Sequence, residues 1–162
     1  MPDPNQSPAG QPNPHDVSGM RVLLVDDNPQ NLELLQAYLE PLECELDTAT
    51  DGLEAMSAVE RQTPDIILLD VMMPRMSGFQ VASKLKQTPA YRDIPIIMVT
   101  ALNEVGDVER AVESGADDFL TKPVNKLELT TRVRSLLRVR QLKRELDKTL
   151  AQMRESGRQR EQ

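Results

Sequence analysis

The sequence predicts an α/β protein: a doubly wound, five-stranded parallel sheet whose last helix is extended. Three observations lead there. The apolar runs Arg21–Val25, Asp65–Leu69 and Ile94–Val99 are short and continuous rather than alternating, as strands covered on both faces are. Each strand-like run is followed by a segment of helical spacing, so the order β-α recurs five times. Pro, Gly, Asn, Asp and Ser stand between these segments, where turns and helix caps need them.

The elements follow in order. After the first strand, Asn28 offers an N-cap and Pro29 fills the first helical position, where its missing N–H costs nothing. Leu32, Leu35, Ala37 and Leu39 give that helix its face as far as Glu40, and Pro41 stops it. Residues 43–49 form a weaker second strand. Asp51 with Glu54 opens the next helix like a capping box, and it runs to Gln62. Pro64 separates it from the third strand, which ends at Asp70. A loop with Pro74 and Gly78 precedes a short helix to Lys86. The fourth strand ends at Thr100, and a helix over 104–114 is closed by Gly115. The fifth strand, 118–121, ends at Lys122-Pro123. The final helix begins near Asn125 and meets no stop until Ser156-Gly157.

The 162 residues allow one domain of about 100–150 residues plus short extras. We read residues 1–19 as a disordered Pro-rich leader, 20–138 as the domain, and 139–162 as a helical extension with a fraying polar tail. His15, the only histidine, falls in the leader and is expected to be inert. Aromatics are 2% and Trp is absent, so the core must be aliphatic. The net charge of −7 argues against a nucleic-acid partner for the chain as a whole. Residues 138–162 do carry eight Lys/Arg against four Asp/Glu, but charged tails are usually just solvated. The single Cys44 excludes a disulfide framework and a cysteine-built zinc site. No apolar run approaches the ~18 residues of a membrane span, and no signal peptide is evident. A cytoplasmic location, with no membrane partner, is the expectation.

In open parallel sheets, ligands bind beyond the carboxyl ends of the strands. The residues expected there are Asp26, Asp27, Asp70, Thr100 and Lys122. Each alone has an ordinary structural explanation, as a cap, turn former or surface lysine. Together on one rim they suggest a site. Three crowded carboxylates call for a counter-charge, and Mg²⁺, a hard cation with oxygen ligands, suits them. Asp26 and Asp27 would hold the metal, with Asp70 as a third ligand and the nucleophile. A carboxylate attacking phosphorus gives an acyl phosphate. Lys122 would neutralise the transferring group, and the Thr100 hydroxyl would donate to it. The backbone carbonyl of Met72 lies within reach of the metal.

This constellation resembles the receiver domain of two-component response regulators, over about Met20 to Arg138. The resemblance rests on the Asp26-Asp27 pair, Asp70 in LLDVMMPRMSG, Thr100 in VTA, and Lys122-Pro123 in DFLTKP. It implies a flavodoxin-like (βα)5 fold with strand order 2-1-3-4-5. It implies Mg²⁺-dependent phosphotransfer to Asp70 from a histidine kinase or a His phosphotransfer protein, and a cis bond before Pro123. It also implies a switch in which Thr100 moves toward the phosphoryl group and the aromatic at Phe119 turns inward. That motion alters the face made by the fourth helix, fifth strand and fifth helix. A plain core aromatic is the other reading of Phe119.

On this view the chain is not an enzyme acting on other molecules; it catalyses only its own phosphorylation and dephosphorylation, and needs no further cofactor. Rival chemistries lack their residues. A dehalogenase-type phosphatase needs an Asp where Met72 stands, and no Gly-rich nucleotide loop follows the first strand. A regulatory fragment of a larger output enzyme, or a phosphorelay shuttle, remains as the alternative. Beyond the domain, Val139, Leu142, Leu146, Leu150 and Met153 continue an apolar stripe along the last helix. It is expected to form a parallel coiled coil joining two copies as a homodimer. The other reading is a linker folded against its own domain.

Overall fold

The structure, a computed structural model, describes residues 16–101 and 105–160. Five parallel strands run β1 (Arg21–Val25), β2 (Glu45–Ala49), β3 (Ile66–Asp70), β4 (Ile96–Thr100) and β5 (Asp118–Thr121). Their spatial order is β2-β1-β3-β4-β5. The helices are α1 (Pro29–Leu39), α2 (Gly52–Arg61), α3 (Gly78–Gln87), α4 (Val105–Glu113) and α5 (Lys126–Arg160).

Strand side chains alternate between faces, and here both faces are dry. Leu23, Val25, Ile67, Leu69, Ile96 and Met98 meet α2, α3 and α4 through Ala55, Val59, Val81, Leu85 and Ala111. On the other face Val22, Leu24, Ile66, Leu68, Ile97, Val99 and Leu120 meet α1 and α5 through Leu32, Leu35, Leu39, Leu129, Val133 and Leu137. The continuous apolar runs are therefore two interleaved sets, one for each core. Deeper placement of β3 and β4 leaves every residue of both strands buried, including their terminal Asp70 and Thr100.

Local chemistry sets the helix starts. The Asn28 side chain accepts from the Gln30 backbone, with Pro29 at the first turn. The Asp51 carboxylate accepts from the Glu54 N–H at 2.7 Å, but Glu54 reaches back to Thr50 rather than to the cap residue. Ser77 and Gln80 form a full reciprocal capping box on α3.

Several boundaries differ from the sequence expectation. Pro41 does not end the chain's helical path; a 3-10 turn over Glu40–Leu42 follows α1. Glu43 then takes a left-handed conformation (φ 57°), so β2 starts at Glu45 rather than 43. β4 starts at Ile96 rather than Ile94, although Ile94 is still buried. Helix α5 passes through Gly157, the expected stop, to Arg160. The expected helix start at residue 104, His15 and leader residues 1–15 lie outside the described residues.

The segment 16–19, assigned to the leader on composition, packs on the domain instead. Val17 is buried beside Met20 in the α1/α5 core. The Gly19 N–H donates to the Glu43 carbonyl and the Cys44 thiol to the Val17 carbonyl. One apolar side chain with nearby backbone partners was enough to order the stretch, where composition had averaged it away. At the other end, polar contacts between α5 and the domain reach Arg144, six residues past the expected boundary at Arg138. The stripe Val139, Leu142, Leu146, Leu150 and Met153 is exposed, so it does not fold back on its own domain.

Gly78 shows how tightly the loop after β3 is drawn in. A Cβ there would lie 2.3 Å from the Asp70 carbonyl oxygen. Backbone, not a flexible side chain, blocks that space. Gly78→Ala is expected to lower stability by about 1–3 kcal/mol, as overpacking does; urea unfolding checks it.

Candidate active site

The rim at the carboxyl ends of β1, β3, β4 and β5 gathers the five residues expected there. Asp26 follows β1 and is almost fully buried, its backbone N–H donating to the Ala49 carbonyl. One carboxylate oxygen accepts from the Asn28 N–H at 2.8 Å, and the other faces Lys122 Nζ at 3.2 Å. Asp70 closes β3, also buried, with Lys122 Nζ 3.5 Å from its Oδ1. That same oxygen accepts from the Met72 N–H at 3.3 Å. Asp27 is exposed, yet one oxygen from each of Asp26, Asp27 and Asp70 lies within 4.8 Å of the others.

Lys122 is held at the site by its own backbone. Its N–H donates to the Thr100 carbonyl at 2.8 Å, which ties the residue after β5 to the end of β4. The Lys122–Pro123 peptide is cis. Thr100 is buried at the end of β4, one strand over from Asp70. The Met72 side chain is exposed, while its backbone turns beside Asp70.

The charges do not balance. Three carboxylates face one ammonium among the described residues. Burial, and after it the Asp26 charge, push the Asp70 carboxyl up to about 6, with Asp27 adding to the rise. Lys122 and the Met72 N–H pull the other way and do not cancel it. A cluster of close carboxylate oxygens with unmet negative charge is a fit donor set for a hard divalent cation.

The sequence reading missed one feature of this rim. A cavity of about 460 Å³ opens beside Asp26 and Lys122, walled by Leu34, Tyr38, Val99, Pro123 and Val124. Leu34 stands off the buried α1 face and is exposed, which was the available signal. Phe119 also departs from the core-aromatic reading: it is 37% exposed, turned away from the buried Leu120 beside it.

Comparison with known proteins agrees in family and fold. The family model described as the response regulator receiver domain matches residues 22–134. Response regulator PleD of Caulobacter vibrioides is 48% identical over 137 residues, covering 85% of this chain and 30% of that protein. The DNA-binding dual master transcriptional regulator RpaA of Synechocystis is 39% identical, over 73% of this chain and 49% of that protein. The chain thus spans 30% to 49% of these relatives' lengths. Among solved structures, the receiver domain of a Pseudomonas aeruginosa sensor histidine kinase superposes with TM-score 0.69. It is 32% identical, covers 74% of this chain and 98% of that one, and carries a magnesium ion coordinated in its active-site cleft.

The charge imbalance predicts the sign of a pH effect. Because burial and the Asp26 charge hold the folded-state pKa of Asp70 above the ordinary carboxylate value, ionised Asp70 weakens the cation-free fold. Asp70→Asn should therefore stabilise the cation-free chain at pH 7–8 by about 2–3 kcal/mol, at 1.36 kcal/mol per pK unit. That advantage should shrink as pH falls through 6 toward 4, where folded Asp70 takes up the proton. Denaturant unfolding of both chains in chelator, across that range, measures it.

Proposed function

We propose that this chain, which belongs to the response regulator receiver family of two-component signalling, takes a phosphoryl group from a phosphohistidine donor onto Asp70. The observation that carries the reading is the pairing of a buried, ionisable Asp70 with Lys122 3.5 Å away, beside two further carboxylates. An Asp70 carboxylate oxygen attacks phosphorus in line with the donor nitrogen. The O–P bond forms as the N–P bond breaks, and the imidazole leaves carrying the electron pair and takes up a proton from water. Asp70 must be ionised to attack, which its pKa of about 6 permits at neutral pH.

Asp26, Asp27, Asp70 and the Met72 carbonyl would hold Mg²⁺, which when bound supplies positive charge to the phosphoryl oxygens. Lys122 stands between Asp26 and Asp70, placed to keep a salt bridge to one while its ammonium turns to a phosphoryl oxygen on the other. Thr100, at the neighbouring strand end, would donate its hydroxyl to a second phosphoryl oxygen. Its movement would open space for the exposed Phe119 ring to turn inward. The donor, a histidine kinase or a His phosphotransfer protein, would bring its binding surface over this rim, where the cavity between Leu34, Tyr38 and Val124 would give it an apolar seat beside Asp26 and Lys122. Such a donor places the reaction in the cytoplasm. The chain is then a self-modifying acceptor, not an enzyme turning over other substrates.

The output we infer is assembly. At about 100° per residue, the exposed α5 stripe occupies an arc of roughly 80°. It lies roughly 150° from the face carrying Val133 and Leu137, which grips the domain. A second copy can therefore pair along the stripe in parallel, with the two domains on the outer flanks.

Two outcomes are expected. Incubation with a phosphohistidine donor and Mg²⁺ labels the chain with an acid-stable, hydroxylamine-labile phosphate. Asp70→Asn, or excess chelator, lowers that labelling at least about a hundredfold, since each removes a group needed at the reacting centre. Undiminished labelling in either case contradicts the assignment. In light scattering, Leu146→Glu with Leu150→Glu is expected to convert a dimer to a monomer. A wild-type monomer, with or without a phosphoryl mimic such as beryllofluoride, would contradict the assembly reading.

A further inference from the structure

The opposite pole of the sheet holds a second charged cluster, which phosphotransfer does not use. Asp65 precedes β3 and is 6% exposed. Its backbone N–H donates to the Arg21 carbonyl, and its Oδ2 accepts from the Arg21 N–H at 2.8 Å, so the carboxylate is fixed by the start of β1. The remaining oxygen, Oδ1, faces α5: Arg144 lies at 2.5 Å and Arg140 Nε at 3.9 Å. Arg140 also donates to the Asp93 carbonyl at 3.2 Å, and Lys143 pairs with the Asp93 carboxylate at 3.5 Å. Gln141 donates to the Asp16 carbonyl at 3.2 Å.

These contacts begin where apolar docking ends. Among the described residues, Leu137 is the last α5 side chain fully buried against the sheet. Without further support, the helix beyond it would hang in water as an isolated segment, prone to fray. Instead the next two turns, on the same face, are met by an acid-lined pole. Arg140 is the telling residue: its Nε is buried with no hydrogen-bond partner, and burial beside Arg144 makes its charged form costlier. Only the Asp65 and Asp93 carboxylates offset that. A half-buried guanidinium of this kind tolerates little displacement, because a swing takes it away from the two carboxylates that offset its burial.

We propose that Asp65, with Asp93 and the Asp16 carbonyl, is a clamp that fixes the angle at which α5 leaves the domain, making its extension a rigid arm rather than a flexible tether. Asp65, Arg140 and Arg144 are positioning residues. Anything that pairs with the stripe from Val139 to Met153 then meets it in one orientation relative to the domain. The clamp needs no phosphate, so it stands or falls apart from the phosphotransfer reading.

The test is a spin-label distance measurement between Glu60→Cys on α2 and Gln152→Cys on the arm, in a Cys44→Ser background of the full chain. Excess unlabelled chain suppresses pairs between copies. The parent is expected to give one narrow distribution. Arg140→Gln with Arg144→Gln roughly doubles its width, as an unclamped helical end swings and frays. Asp65→Asn, which can still accept from the Arg21 N–H, broadens it as well and so separates the charge from the cap. Lys148→Gln with Arg154→Gln, on the same arm beyond the clamp, leaves it unchanged. Far-ultraviolet circular dichroism confirms that each variant is folded. A broad parent distribution, clamp variants as narrow as the parent, or equal broadening by the Lys148 and Arg154 changes would each overturn the proposal.

Discussion

The site depends on one electrostatic constraint: three carboxylates share a rim with a single lysine among the described residues. Asp26 and Asp70 are both buried, and Lys122 lies within 3.5 Å of each. One ammonium does not balance two buried carboxylates and the exposed Asp27 beside them, and burial with the Asp26 charge raises Asp70 to about 6. The fold therefore carries a local instability that a cation or a proton relieves. Instability of this kind is common where a site must bind and react, and the surrounding core holds it in place.

The sheet is what allows that crowding. Strands β1, β3 and β4 are adjacent and parallel, so their carboxyl ends meet on one side. Their apolar bodies anchor two cores, and their polar ends have nowhere else to go. The close packing of Gly78 on the Asp70 carbonyl and the bond from the Lys122 N–H to the Thr100 carbonyl fix Asp70 and Lys122 through backbone. Strand β3 also links the two poles. Asp70 ends it at the carboxylate rim, and Asp65 precedes it at the ion pairs with α5. The carboxylate rim and the α5 contacts are thus referenced to the same buried strand.

Much of this was legible in the sequence, for physical reasons. Continuous apolar runs require burial on both faces, and polar residues just past them must lie at the strand ends. Asp26, Asp70 and Lys122 could thus be placed together before any geometry was known. Three things were not legible. Val17 looked like leader because its neighbours are polar, yet a single buried side chain ordered the segment 16–19. Gly157 looked like a stop, but a glycine only weakens a helix and α5 runs through it. The basic residues Arg140 and Arg144 looked solvated, because their acidic partner Asp65 lies some 75 residues earlier and only the fold brings it near.

The most direct test of the central claim is a calorimetric Mg²⁺ titration of the unphosphorylated chain at pH 8 and pH 5, each in two buffers of different ionisation heat. If the crowded carboxylates demand a cation, Mg²⁺ binds at pH 8 with little proton exchange. At pH 5 it binds more weakly and releases a proton from Asp70. Equal affinity at both values with no proton released, or no binding at either, would contradict the account.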